Sequence, residues 1–278
     1  MADKTPPTDN TANNANAASA ANASSAFDYL SNDGIGGFDA LNVDTVAVPF
    51  VRVLQSLSPQ LKKSKPEYID GAAEGDLYNN ITNRIMVPPV KVIVGRFDRY
   101  FTEWKPNRGG FVAAHLPEEI DKALATGALV RDEKGRVFSE ATSNQYTDTY
   151  AYYVVFPDYL QDGVCLLCLS STQLKEARRW NRLLMSTYLP NSNIKALPYH
   201  MRWIITTPMQ TNDRGEWAGF KVDFDGFVTK EEFQVVTAER KALPAPDAVR
   251  PDFRALDAGE RADAIDSGPV YDSDQAAF

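Results

Sequence analysis

Through the middle of the chain, apolar and aromatic runs of four to ten residues alternate with short polar breaks, and most are too short for helices. Residues 86–101 are dense in Val, Ile, Phe and Tyr, and Pro88-Pro89 marks an edge or the start of a strand. Residues 150–156 and 164–169 are further strand candidates separated by a turn over 158–163. Residues 202–207 and 216–224 flank Asn212-Asp213-Arg214-Gly215, which reads as a hairpin. The apolar run over 46–54 opens the folded part, so five or more strands are expected.

One clear helix interrupts them, over 172–186. Ser170 with Gln173 fits a capping box, with Ser171 and Thr172 as alternative caps. Leu174, Ala177, Asn181 and Leu184 define one side, and Lys175, Arg178, Arg179 and Arg182 fall at spacings of three and four on another. A weaker helix is expected over 117–126, where Glu118, Glu119 and Asp121 sit near the positive end of the helix dipole. The pattern predicts a mainly β fold: an OB-like small barrel with one internal amphipathic helix, or alternatively a β-sandwich with an inserted helix.

Composition sets the boundaries. Residues 1–26 are mostly Ala, Asn, Ser and Thr, too poor in large apolar groups to offset the entropy of ordering. Three regions follow: a disordered N-terminal tail and hinge over 1–40, an OB-like nucleic-acid-binding core over 41–240, and a disordered acidic C-terminal tail over 241–278. The net charge of -8 divides equally between the two tails, so the core is neutral and its acidity does not argue against a polyanionic ligand.

Several chemistries find little support. The chain has no phosphate-binding GxxxxGK[ST] loop, no GxGxxG after a strand, no HExxH and no GxSxG. His115 and His200 lack a neighbouring nucleophile or orienting carboxylate in sequence, so no enzyme and no cofactor are expected. Cys165 and Cys168 lie three apart on a strand, point to opposite faces and read as apolar strand residues in a reducing compartment. With no run of about 18 apolar residues and no secretory start, a cytoplasmic protein is expected. Residues 221–232 resemble an EF-hand loop at Asp223, Asp225, Gly226, Val228 and Glu232, but Lys221 holds the position of the first acidic ligand. The alternative there is a strand ending in an Asp-Gly turn, followed by a helix capped by Thr229.

The positive signal is interleaved basic and aromatic residues. Along 96–111, alternation sends Arg96, Asp98 and Tyr100 to one face and Phe97, Arg99 and Phe101 to the other, with Trp104, Lys105 and Arg108 near a Gly-Gly loop. Between 171 and 202, six cations face only Glu176, with Trp180, Tyr188, Tyr199 and Trp203 interspersed. Such surfaces track phosphates and stack bases in sequence-tolerant single-strand binders. The expected DNA contacts are Arg96, Arg99, Tyr100, Trp104, Lys105, Arg108, Lys175, Arg178, Arg179 and Arg182, with Lys62, Lys63 and Lys65 extending the path. The competing reading places the aromatics in the core and the arginines on a solvated face.

From Ala255 the chain carries Asp257, Glu260, Asp263, Asp266, Asp272 and Asp274 against Arg261, and closes Ser-Asp-Gln-Ala-Ala-Phe. This resembles the C-termini of bacterial single-stranded DNA-binding proteins and of the replication proteins of T7-like phages. The region 46–80, with its Leu-Gln-Ser-Leu-Ser-Pro run, is similar to phage proteins encoded among replication genes. The resemblance implies a phage single-stranded DNA-binding protein whose tail, through Asp272, Asp274 and Phe278, docks replication or recombination proteins. Gln275-Ala276-Ala277 departs from the denser acidic runs of those tails. A homo-oligomer is compatible with this reading, and a membrane is not part of it. Non-enzymatic structural or host-interaction roles in a phage, and calcium binding through 221–232, are the alternatives.

Overall fold

A computed structural model of the chain describes residues 48–212, 215–243, 250–251 and 253–254. In chain order the elements are β1 (Phe50–Val53), β2 (Leu77–Asn79), β3 (Ile85–Met86), β4 (Val90–Trp104), β5 (Phe111–His115), α1 (Pro117–Ala125), β6 (Val130–Arg131), β7 (Val137–Phe138) and β8 (Gln145–Val155). There follow β9 (Cys165–Ser170), α2 (Leu174–Ser186), β10 (Met201–Thr206), β11 (Met209–Asn212), β12 (Gly215–Ala218), β13 (Lys221–Phe227) and α3 (Lys230–Ala242).

Eleven strands form one sheet whose main path runs β13-β10-β4-β8-β9-β1-β2-β3, with β5 on β4 and the β6–β7 pair joined to β8. All its pairings are antiparallel except β1 with β9. The sheet curls into a half-barrel, so the fold is mainly β and consistent with the OB-like small barrel read from the sequence, though with more strands. The predicted hairpin forms in two tiers: β10 pairs with β13, and β11 with β12 makes a separate two-stranded ribbon beyond them.

The sheet's spine is the long β4–β8 ladder, in register from Ile93↔Val155 to Trp104↔Gln145. Its pairing shifts between Val94 and Arg96, so one extra residue stands in β4. That extra residue reverses the parity of the side chains. Val90, Val92 and Val94 belong to the inner core before it, and Phe97 packs against the same core after it.

Inside the curl, α2 lays Ala177, Trp180 and Leu184 on the sheet. Trp180 stacks on Tyr152 at 4.4 Å and meets Trp203 edge-on at 6.1 Å. Burial of such side chains, at about 1.5–3 kcal/mol each, holds the helix in place. The helix starts at Leu174 out of a 3-10 turn, Ser171–Gln173, and neither Ser170 nor Gln173 provides a side-chain cap bond, so the predicted capping box is absent. Packing of the apolar stripe substitutes for it.

Outside the curl, Phe50, Tyr100, Trp104, Ala151, Tyr153 and Leu166 form a second core with Phe253. Cys165 faces the inner core and Cys168 the outer one, as alternation predicts. The folded part therefore extends beyond residue 240: α3 ends at Ala242, and the fully buried Phe253 packs edge-on against Phe50 and Tyr100. Three α-helices are described: the clear and the weaker one expected, and α3, which bears out the alternative reading of 221–232 and runs longer than the short helix expected; its cap Thr229 accepts the Glu232 N–H while Glu232 accepts the Thr229 N–H. The tails over 1–40 and beyond residue 254 lie outside the described residues.

Candidate nucleic-acid interface

Where α2 begins, it no longer covers the inner face of the β4–β8 ladder, and a cleft of about 630 Å³ opens there. Phe101 and Tyr146 form part of its floor, Leu174 and Arg178 come from α2, and Arg131 and Arg136 come from the β6–β7 hairpin. The turn of that hairpin is built locally. Asp132 accepts the N–H groups of Lys134 and Arg136 through Oδ1, and Gly135 takes a φ of +73° that favours glycine.

Arg99 enters the cleft from β4. Its Nε and Nη2 donate to the two carboxylate oxygens of Asp148 at 2.8 and 3.0 Å, and its guanidinium lies 5.1 Å from the Phe101 ring. Four arginines therefore meet two aspartates, Asp132 and Asp148, around one opening with an aromatic floor. A planar guanidinium held by a bidentate pair is already oriented to present its remaining N–H groups to an anion.

Behind the cleft is a half-buried polar cluster around the buried Glu103. Glu103 accepts from Asn144 Nδ2 at 2.6 Å and pairs with His115 Nε2 at 2.8 Å. Burial pushes the Glu103 carboxyl upward, but hydrogen bonds from Asn144, His115 and Tyr146 outweigh it and leave the group below its usual range. Burial and the Glu103 charge push the Tyr146 hydroxyl up to about 12. His115 thus has the orienting carboxylate that its sequence neighbours did not supply, and the pair ties β5 to β4.

The predicted residues divide between two faces and several elements. Arg99 and Arg178 share the cleft. Lys175 and Arg182 are exposed on α2 and make no ion pair among the described residues. Arg179 is engaged elsewhere: it donates to the Val222 carbonyl and to Asp223, while Glu176 accepts the Val222 N–H, so α2 satisfies part of the β13 edge. Lys105 is exposed in the turn after β4, and neither it nor Lys62, Lys63 or Lys65 lines the cleft. The Arg108 side chain lies outside the described residues, as do Asp272, Asp274 and Phe278.

Two aromatic assignments are corrected. Tyr100 is 0% and Trp104 2% exposed, so neither ring offers a face to a base. Trp104 donates its Nε1–H to Thr102 at 2.9 Å, and both rings belong to the outer core. Arg96 shares that face, paired with Asp98 at 2.9 Å and lying 4.1 Å over the Tyr153 ring, away from the cleft. Alternation placed these side chains correctly on one side of β4; what it lacked was the cover supplied by Phe111 and Phe253.

Arg131 and Arg136 were missed. Their signal was a short Val-Arg-Asp-Glu-Lys-Gly-Arg-Val hairpin whose two acidic residues offset all but one of its three cations, so counting charge by segment concealed it.

The calcium reading of 221–232 is also corrected. Residues 221–227 are strand, and Arg202 occupies the place a cation would take, bonded to Asp225 and, at 3.0 Å, to both oxygens of Glu232. Lys221 and Arg179 hold Asp223. Burial pushes the Cys165 thiol up to about 12, far from a reactive thiolate. Among the described residues no helix is long and apolar enough to cross a membrane.

No curated protein and no solved structure matches the chain significantly. A family model described as Pam3 phage gp34-like protein matches residues 14–243, which include the cleft, the inner core and the outer core apart from Phe253. That match covers well over half of the sequence, and the chain belongs to the Pam3 phage gp34-like family.

Proposed function

We propose that this phage-family chain is a non-enzymatic, sequence-tolerant single-stranded DNA-binding protein of replication or recombination, acting in the host cytoplasm and recruiting partner proteins through its C-terminal tail. The observation that carries the reading is the convergence of Arg99 and Arg178, distant in sequence, with Arg131 and Arg136 in one cleft. Lys175 and Arg182 extend that positive surface along α2. Guanidinium groups contact phosphates whatever the base, which accounts for sequence tolerance. No cofactor takes part. The tail residues Asp272, Asp274 and Phe278 hold partners; the acidic tail competes with DNA for the same cations, and DNA binding frees it for those partners.

Fluorescence anisotropy with labelled single-stranded and duplex oligonucleotides across a salt series tests this. Single strands are expected to bind more tightly at low salt, with a log–log slope of about -0.7 per phosphate contacted. Absence of a single-strand preference at low salt overturns the reading and favours a structural or host-interaction role. Removing the last residues through Phe278 is expected to maintain or raise DNA affinity and to abolish partner recruitment; loss of DNA affinity overturns the role given to the tail.

A further inference from the structure

The cations of α2 lead somewhere. Lys175, Arg178, Arg182 and Met185 succeed one another at spacings of three, four and three, all exposed, and form one row along the helix. Its first turn borders the cleft through Leu174 and Arg178. Its far end leads into a small hairpin, in which the Leu189 N–H donates to Ile194 and the Ala196 N–H to Thr187, both at 2.9 Å. Between those two bonds Tyr188 stands directly opposite Lys195. In an antiparallel pair of that kind the two side chains project from the same face at close range.

The direction of that face follows from the neighbours. Leu189 packs against the inner core and Ala196 is buried, so alternation turns Tyr188 and Lys195 outward. Tyr188 is 50% exposed, and Lys195 is exposed and makes no ion pair among the described residues. Met185 and Ile194 beside them are 67% and 64% exposed. An aromatic ring with a cation at its side, placed at the end of a row of cations, fits a ligand that combines phosphates with stackable planes.

We infer that Tyr188 and Lys195 form a base-stacking site at the far end of a single-stranded nucleic acid track running from the arginine cleft along Lys175, Arg178 and Arg182. This rests on the proposed single-strand binding and replaces the stacking role expected of Tyr100 and Trp104. The helix of 13 residues sets the length of the track. At 1.5 Å per residue it spans about 20 Å, the reach of a few nucleotides of an extended strand and near the low end of the range of about 4–16 nucleotides for such folds.

The test uses the full chain and an oligothymidylate of about 12 nucleotides carrying 5-iodouracil, with photocrosslinking, peptide mapping and anisotropy. The crosslink is expected at Tyr188. Tyr188→Ala is expected to weaken binding roughly 5-fold to 100-fold with an unchanged salt slope, because a stacked base releases no counterion. Tyr188→Phe is expected to keep most of the affinity, and Arg182→Ala to reduce the slope by about 0.7. Since Tyr188 is exposed, a thermal melt of Tyr188→Ala matching the parent is expected. Binding by Tyr188→Ala equal to the parent, while Arg178→Ala weakens it, overturns the stacking site alone. Failure of the parent chain to bind single strands overturns the proposed function, and the stacking site with it.

Discussion

Arg96 and Arg99 stand three residues apart on β4, and their surroundings differ completely. Arg96 faces outward from the curl, under the layer completed by Phe253, where Asp98 and the Tyr153 ring enclose it. Arg99 faces inward just beyond the reach of α2, where Asp148 orients it and the cleft leaves it accessible. The same interleaving of cations and aromatics thus makes a sealed core on one face and an open basic surface on the other. Coverage decides which, and the covering residues come from elsewhere in the chain.

The largest expected effect tests the sealed face. Phe253→Ala removes a fully buried ring shared by Phe50, Tyr100 and Phe111 and should cost about 3–5 kcal/mol in urea unfolding. Fluorescence quenching should then report a more accessible Trp104. An unaltered midpoint would break the comparison, since the outer face would not depend on that distant residue.

Next comes the open face. Arg99→Ala and Arg178→Ala should each weaken single-strand binding several-fold and lower the salt slope by about 0.7, read by anisotropy. Arg96→Ala should instead show its main effect in unfolding, about 1–3 kcal/mol, because it leaves the half-buried Asp98 with only the Tyr100 hydroxyl as a partner among the described residues. If Arg96→Ala changed the salt slope as Arg99→Ala does, the two faces would not be functionally distinct.

A smaller effect separates the two faces by pH. Burial raises Asp98 above its ordinary value despite Arg96, whereas at Glu103 the hydrogen bonds outweigh burial and hold the carboxyl below its ordinary value. Glu103 therefore contributes stability that is present above the unfolded value near 4.5 and is lost as pH falls through its folded value. Asp98 has the opposite sign: as pH rises from 3.8 through its raised folded value, stability is lost. Urea unfolding of Glu103→Gln should show a penalty that grows from acid toward neutral pH, while Asp98→Asn should become relatively more favourable over the same interval. Parallel pH dependences in the two variants would contradict this assignment.

The smallest expected effect is that of Lys105→Ala, which should leave both the unfolding midpoint and the single-strand affinity within about twofold, since this exposed lysine lines neither core nor cleft. A loss comparable to that of Arg178→Ala would extend the interface to the end of β4.

Local information in the chain determined much of this. The β-rich class, α2 with its apolar stripe and basic row, the face of each residue from Arg96 to Phe101, and the opposed cysteines follow from periods of 2 and 3.6. The Thr229 cap, the alternative to a calcium loop there, was legible as well, and the structure adds the reciprocal bond from Glu232. Tertiary structure alone decided the rest. Tyr100 is core because Phe253, far along the chain, packs on it, Trp104 because Phe111, itself against Phe253, packs on it, and Arg131 and Arg136 join Arg99 because β7 pairs with β8. Arg202 displaces any cation from Asp225 and Glu232 because β10 and β13 pair across a hairpin. A side chain's direction is set by its own backbone, whereas its exposure depends on what other segments place above it, and that information is distributed over the whole chain.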